Sequence, residues 1–498
     1  MENYHIAVFD IGKTNKKLLI YDPDLNILKI ERIKIEEFSD QSFSHDDIPK
    51  IENWIITSLK NNASVFNIKV ISISAHGATF TCINDKGELA IPELSYTTDP
   101  GEAFHEIFFE EMGSRKSLQN DTCTPDFNVL LNVAKGIKFV QNIFKDQFRH
   151  VKYILNLPQH FSFKLTGKAS ADPTYIGCHT YLWNFRENKW SSVVDKLNIR
   201  SKLPEILLKP WDVVGTISEQ VANETGLSAD TLVTTGIHDS NASLLPHIIS
   251  SDGQDFILNS TGTWCVIMHE REKVHFNADE LGKVVFYNLS AFNSPIKTAI
   301  FMGGLEFEAY DSLFNGQANE NCIFDPELYQ EIISQKSCFI LPGITRGTGQ
   351  FPHSSPRVIE NGKAYNYEDI KAGSVVPKCF EDARTAYAVL NLSLAIQTKV
   401  SLDRVDMQNG LPIYTEGGFS NNEAYNILVG GFYPDSDVFL TSLKEATSFG
   451  AALMGKAAAE GKHPKDFKNL LEIEKIPVKK YRFEGLEEYT KEFLRLIE

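Results

Sequence analysis

The chain has 498 residues, too many for a single hydrophobic core, so at least two domains are expected. Hydrophobic residues make up 42% and charged residues 23%, an ordinary globular balance that excludes a disordered or low-complexity protein. The net charge of −16 argues against nucleic acid or an anionic membrane as the main partner, because both need basic surface, yet it allows a local cationic site.

The chain opens on MENYHIAVFD, with neither a basic region nor a long apolar run. No signal peptide and no membrane span are expected. Cysteines 82, 123, 178, 265, 322, 338 and 379 are scattered, without a CxxC pair, which fits free thiols in the cytoplasm and not a disulfide frame or a zinc site. His5 to Phe9 reads as a buried strand, Asp10 to Asn15 as a Gly-containing turn, and Leu18 to Tyr21 as a returning strand: a hairpin. Val70 to Ser74 is a further strand that ends at Ala75-His76-Gly77. Asn128 to Asp146 carries apolar residues at helical spacing, Tyr153 to Leu157 reads as a strand, and Leu232 to Thr235 runs into Gly236-Ile237-His238-Asp239.

Halfway along, the pattern restarts. Phe256 to Leu258, a polar turn Asn259-Ser260-Thr261-Gly262-Thr263, and Trp264 to Met268 repeat the strand–turn–strand layout. Phe339 to Leu341 is a strand, Ala383 to Val400 a helix, Pro412 to Thr415 and Val438 to Leu440 strands, and Glu445 to Glu460 an Ala-rich helix. Strands alternating with helices predict an α/β architecture. The two similar hairpins predict a duplicated fold, residues 1–246 and 247–498, with a cleft between the halves.

Glycine in the first turn lets backbone N–H groups approach an anion. Gly12, Thr14 and Asn15 then offer donors, Lys13 and Lys16 offer charge, and Asp10 a metal carboxylate. Thr261, Gly262 and Thr263 in the second turn are a matching cradle. Alone, the first turn is equally an ordinary hairpin tip and the second is more often one; their pairing is what suggests a clamp for a nucleotide tail. Asp239 lies just past a strand end, where open α/β sheets bind ligands, and is a candidate to take a proton from an alcohol in phosphoryl transfer. By composition alone, a helix cap is the commoner role for such a residue. Gly417 and Gly418, followed by Asn421 and Asn422, suit a flat ring such as adenine, and Gly303-Gly304 is a candidate for another nucleotide-facing loop. His76 and Gly77 with Asp99 are candidates to hold a small polyhydroxy ligand. His238 is read as structural, because adjacent strand residues point to opposite faces.

In this order, DIGKTNKK, SAHGATF, GIHDSNAS, NSTGTW, and EGGFSNN followed by KEATSFGAALMG resemble the motifs of the FGGY family of carbohydrate kinases, from about residue 5 to about residue 460. The resemblance implies a duplicated actin-like (ribonuclease H-like) ATPase fold with the active site in the interdomain cleft. It implies ATP and Mg²⁺ as cofactors, a small sugar as substrate, Asp239 as catalytic base, and a dimer as in many family members. GIHDSNAS and NSTGTW are closest to rhamnulose or fuculose kinases; SAHGATF leans toward xylulose kinases. The chain departs from the family at Lys13, usually a small Thr or Ser. It also departs at Thr97-Thr98-Asp99-Pro100-Gly101, which lacks the usual aromatic and Arg, and after EGGFSNN, which lacks the frequent Trp. A sugar-independent actin-like ATPase is the alternative from another class.

Overall fold

The computed structural model describes residues 4–39, 43–126, 131–314, 316 and 323–497. Two seven-stranded sheets organise them. In the first, strands Ile27–Lys34, Asn15–Tyr21, His5–Ile11, Ile68–Ala75 and Leu232–Thr234 lie side by side in that order. In the second, Pro295–Phe301, Cys265–Glu270, Ile257–Thr261, Ile413–Gly417 and Val438–Ser442 take the same places. Each series pairs antiparallel twice and then parallel twice. The same five-strand topology thus occurs once in each half of the chain, as the repeated hairpin predicted.

The predicted strands overlap observed ones, with ends moved by one or a few residues. Val70 to Ser74 is the centre of Ile68–Ala75, and Val438 to Leu440 begins Val438–Ser442. Of the helix predicted from Asn128, residues 128–130 lie outside the described residues. The helix seen is Val133–Ile143, started where the Asn132 side chain accepts a hydrogen bond from Lys135 N. Leu157, expected to end a strand, instead opens the helix Leu157–Thr166, with Pro158 in its first turn.

Each sheet builds its own core, Phe9, Ile71 and Val233 on the first and Ile267, Ala299 and Ile413 on the second. Between them lie two helices. Asp239–Ser251 turns Ala242, Leu245 and Ile249 toward Ile6, Val8 and Val70 of the first sheet. Its Leu244 and Ile248 meet Leu258, Met268 and Tyr414 of the second. Ala446–Glu460 comes from the second half but packs on the first sheet, with Ala451, Leu453 and Met454 fully buried in the shared core. The two helices cross at Gly450, where a Cβ would stand 1.9 Å from the Ala242 carbonyl oxygen. Gly455 meets the first sheet almost as closely, 2.7 Å from Ile6 Cγ2. Glycine is used here for close approach, since both positions are ordinary helix.

Because the opposing atom at Gly450 is backbone, no side-chain rotation relieves the overlap. Gly450→Ala is expected to cost about 2–3 kcal/mol by overpacking. A urea midpoint within experimental scatter of the parent would contradict this crossing.

Candidate active site

Both parallel strands at the centre of the first sheet end at one edge, and the candidate residues gather there. Asp10 is the penultimate residue of the first strand and pairs in register with Ser74 of its parallel neighbour. Ser448, in the first turn of the Ala446–Glu460 helix, donates to Asp10 Oδ2 at 3.1 Å. Burial pushes the Asp10 carboxyl up to about 6, against the pull of Lys17, and the negative charge of Asp239 adds to the rise. Lys17 Nζ stands 3.9 Å from Asp10 but 2.6 Å from Glu445, which also pairs with Arg32.

The strand ends at His238, so Asp239 is the first residue of the following helix and not its cap. The chain turns there, and both side chains face one cavity, contrary to the expectation that His238 points elsewhere. His238 Nδ1 lies 3.6 Å from Asp239 Oδ1, and burial lowers the proton affinity of the imidazole. A short helix, Pro173–Ile176, braces this region. The Asp172 carboxylate caps it, Thr174 Oγ1 accepts from His238 N at 3.1 Å, and Tyr175 Oη donates to the His76 carbonyl at 2.9 Å.

The inner cavity has a volume of about 350 Å³ and is shared by both halves. From the first come His76, Gly77, Tyr96, Asn132, His179, His238 and Asp239. From the second come Trp264, Val266, Phe286, Asn288 and Ile300. Gly77 is required by close packing: a Cβ there would lie 2.4 Å from His238 Nε2. Two buried atoms of this wall, Asn132 Nδ2 and His238 Nδ1, have no hydrogen-bond partner. A cavity of about 640 Å³ adjoins it at Thr263 and is lined by Gly262, Gly304, Phe307, Gly418, Asn421 and Asn422. A third, of about 430 Å³, shares Asp239 and Ser240 and is rich in hydroxyls, among them Ser243, Ser260, Thr441 and Thr447.

The second hairpin turn is held by backbone contacts. Gly304 would place a Cβ 2.1 Å from the Gly262 carbonyl oxygen. At Gly417, with φ +81°, a Cβ would stand 1.9 Å from the Thr261 carbonyl oxygen, so glycine is needed both for space and for conformation. Gly262 and Thr263 are exposed at the tip, as are Thr14 and Asn15 at the first.

Several candidates have other roles than expected. Lys16 is buried and donates to the Lys13 and Ile35 carbonyls at 2.6 and 3.1 Å, because its position in the strand points it inward; burial lowers its proton affinity. Lys13 pairs with Asp46 at 2.9 Å and Glu37 at 2.5 Å and stands over the Tyr96 ring. Neither amine projects into the cleft. Thr261 donates to the Glu416 carbonyl and accepts from Phe419 N, tying the two turns together instead of offering its hydroxyl to a ligand. Asn422 caps the helix Glu423–Phe432 and donates to Asn391, whereas Asn421 is exposed in the cavity wall. Asp99 is exposed on its loop and accepts from Gly101 N at 2.8 Å; it does not line the inner cavity.

Sequence reasoning missed Asp46. Its Oδ2 lies 3.4 Å from His76 Nε2. Burial alone would raise this carboxyl, but His76 and Lys13 outweigh it and hold it well below the usual range. Next to it, burial and the Asp46 charge push Glu93 up to about 8, against the pull of Lys13. Of the second-half wall only Thr263 was a sequence candidate; Val266, Phe286, Asn288 and Ile300 were missed, since isolated residues on separate strands carry no local signal.

The second hairpin turn thus lies beside two cavities lined from both halves of the chain, with Asp239 at the border of both. Residues 5–246 match the description "FGGY family of carbohydrate kinases, N-terminal domain", and residues 253–464 match "Carbohydrate kinase FGGY, C-terminal domain". The chain belongs to the FGGY family of carbohydrate kinases, and its fold is the two-domain actin-like ATPase fold. It is similar to rhamnulokinase of Enterococcus faecalis, 23% identical over 273 residues, covering 53% of this chain and 52% of that protein. Rhamnulokinase of Halalkalibacterium halodurans is 24% identical over 276 residues, covering 53% and 56%. The match therefore spans about half the length of these curated relatives. The crystal structure of a carbohydrate kinase from Novosphingobium aromaticivorans superimposes with a TM-score of 0.80 at 23% identity, over 100% of this chain and 99% of that one. Among the described residues, no helix is long and apolar enough to cross a membrane.

Asp10 supplies a pH test. Below its unfolded value of 3.8 the carboxyl is neutral in both states; between 3.8 and about 6 only the folded protein keeps the proton, so stability falls as pH rises, and above 6 the loss is complete. Asp10→Asn removes this cost. Its stability gain over the parent should grow from pH 4 to pH 6 to on the order of 3 kcal/mol and then level off, read from thermal melts. A gain that does not change with pH would disprove the assignment.

Proposed function

We propose that this protein is an ATP-dependent kinase that phosphorylates a primary hydroxyl of a deoxy-ketohexose of the L-rhamnulose or L-fuculose type, in the cytoplasm. The proposed domains are residues 1–246 and 247–498, and ATP lies in the cleft between them. The observation that carries the reading is the position of Asp239, which borders both the inner cavity and the open hydroxyl-rich one. A sugar in the inner cavity would present its hydroxyl to this carboxylate from one side while a phosphoryl group approached from the other.

The residues divide the work as follows. Adenosine would rest against Gly418 and Asn421, with the phosphates at half-buried Gly12 and the exposed Thr14, Asn15, Gly262 and Thr263. Asp239 orients the hydroxyl, accepts its proton and leaves the oxygen to attack in line. Asp10 and Asp239 create a local negative potential that the nearby Lys17 only partly offsets, which would suit a divalent cation at Asp10. Mg²⁺ would supply charge neutralisation of the phosphates; Asp10, held by Ser448, is the residue to hold it. Lys13 fixes Asp46, and Asp46 fixes His76 against the sugar.

The cavity wall favours the deoxy class. Asn132, His238 and Asp239 offer polar groups to hydroxyls, while Trp264, Val266, Phe286 and Ile300 give an apolar side suited to a methyl group. The similarity to rhamnulokinases supports the same choice.

A coupled ADP-release assay across ketoses, aldoses and polyols, with and without Mg²⁺, tests the function. One deoxy-ketohexose should stimulate strongly, by about tenfold or more in kcat/KM over its hydroxylated counterpart. ATP turnover indifferent to every sugar would instead indicate an actin-like ATPase without a sugar substrate. Asp239→Asn should fold normally and lose kcat by about 10²–10⁴-fold. Near-parental turnover would remove Asp239 from the chemistry.

A further inference from the structure

The wall of the inner cavity holds a second constellation, which shares only His238 with the proposed sugar site. Cys178, His179 and His238 each bring one ligand atom within 4.8 Å of the others. Cys178 and His238 are buried and His179 is half-buried. Two ligand atoms held about 2.0–2.3 Å from a zinc ion at a tetrahedral angle lie roughly 3.3–3.8 Å apart, so this set needs only small side-chain motion to close on a metal.

Three further observations point the same way. His238 Nδ1 makes no hydrogen bond, although the side chain is only 5% exposed. His179 has φ +44°, a conformation uncommon for any residue but glycine, and this places its ring edge-on to that of His238 at 6.2 Å. Gly77 leaves room for both imidazoles: a Cβ would touch His238 Nε2 and lie 3.4 Å from His179 Cε1.

We propose that Cys178, His179 and His238 form a site for a soft divalent cation of the Zn²⁺ type, and that its occupation closes the inner cavity to sugar. One thiolate with two imidazoles selects against Mg²⁺, which prefers oxygen ligands, so this site is chemically separate from the one at Asp10. Binding forms three metal–ligand bonds and releases the Cys178 thiol proton to solvent, with no change of oxidation state. The cation and thiolate together carry one net positive charge, which the neighbouring Asp239 carboxylate balances. Three protein ligands leave the fourth position open to the cavity, where a sugar hydroxyl and Asp239 would otherwise meet.

Co²⁺ serves as the probe, added to the full-length protein. One equivalent should produce tetrahedral visible bands and a thiolate-to-cobalt charge-transfer band, and Zn²⁺ should displace both. Cys178→Ser should abolish the charge-transfer band and weaken Co²⁺ binding by about 100-fold or more, since even outer-shell partners are worth 10–100-fold. His179→Gln, at a less buried position, should weaken it comparably, with circular dichroism confirming that both variants are folded. A charge-transfer band that persists in Cys178→Ser, or none in the parent, overturns the site. The closing effect rests on the kinase reading: Zn²⁺ should raise the KM for the sugar identified by the ADP-release panel. An unchanged KM with cobalt bound would overturn the closing effect alone, and it is distinguishable from failure of the kinase reading, in which no sugar is phosphorylated at all.

Discussion

The contact between Gly450 and the Ala242 carbonyl sets the distance between two helices, and the cleft depends on that distance. One helix begins with Asp239; the other carries Ser448, the donor to Asp10, in its first turn. The helices start beside the same cleft and bury their lengths in the core that joins the two sheets. A larger residue at position 450 would part them and with them the two carboxylates. The same device recurs at smaller scale, where Gly304 and Gly417 let the second hairpin turn lie directly on neighbouring backbone. Backbone packed on backbone has no rotamers to adjust, so these contacts hold the geometry of the cleft tightly.

Charge explains what the cleft lacks. Lys13 and Lys16 sit in the turn where an ATP phosphate is expected, yet one is committed to Asp46 and Glu37 and the other is buried against carbonyl oxygens. Lys17 is held mainly by Glu445. On the proposed reading, phosphate charge is met by backbone N–H groups and by a cation at Asp10, not by lysine in this turn. The price of keeping Asp10 dry and close to Asp239 is visible in its raised proton affinity.

The inner cavity joins two chemistries in one wall. Three imidazoles, of His76, His179 and His238, crowd around Gly77 and Asp239, and burial depresses two of them, His179 to about 3. Neutral imidazoles are good hydrogen-bond partners for a polyol and equally good metal ligands. This is why one cavity supports both the proposed substrate and the proposed competing cation, and why the two exclude each other.

The sequence by itself was enough for the architecture. Apolar runs of strand length, broken by Gly-containing turns and restarting at Phe256, imply a repeated hairpin, and the sheets show the same strand order twice. Asp10 could be picked out because it follows directly on such a run, and Asp239 because it stands just past the end of one. What required the tertiary structure is side-chain direction and long-range partnership. Lys16 looked like a phosphate ligand until strand pairing turned it inward, and Asp99 until its loop left it outside. His238 looked structural because alternation assumes that a strand continues, whereas the chain bends into a helix at that residue. Asp46, Cys178, His179 and the wall of Trp264, Val266, Phe286 and Ile300 are far from Asp239 in sequence. They become neighbours only when two sheets close on one another, and no local pattern encodes that closure.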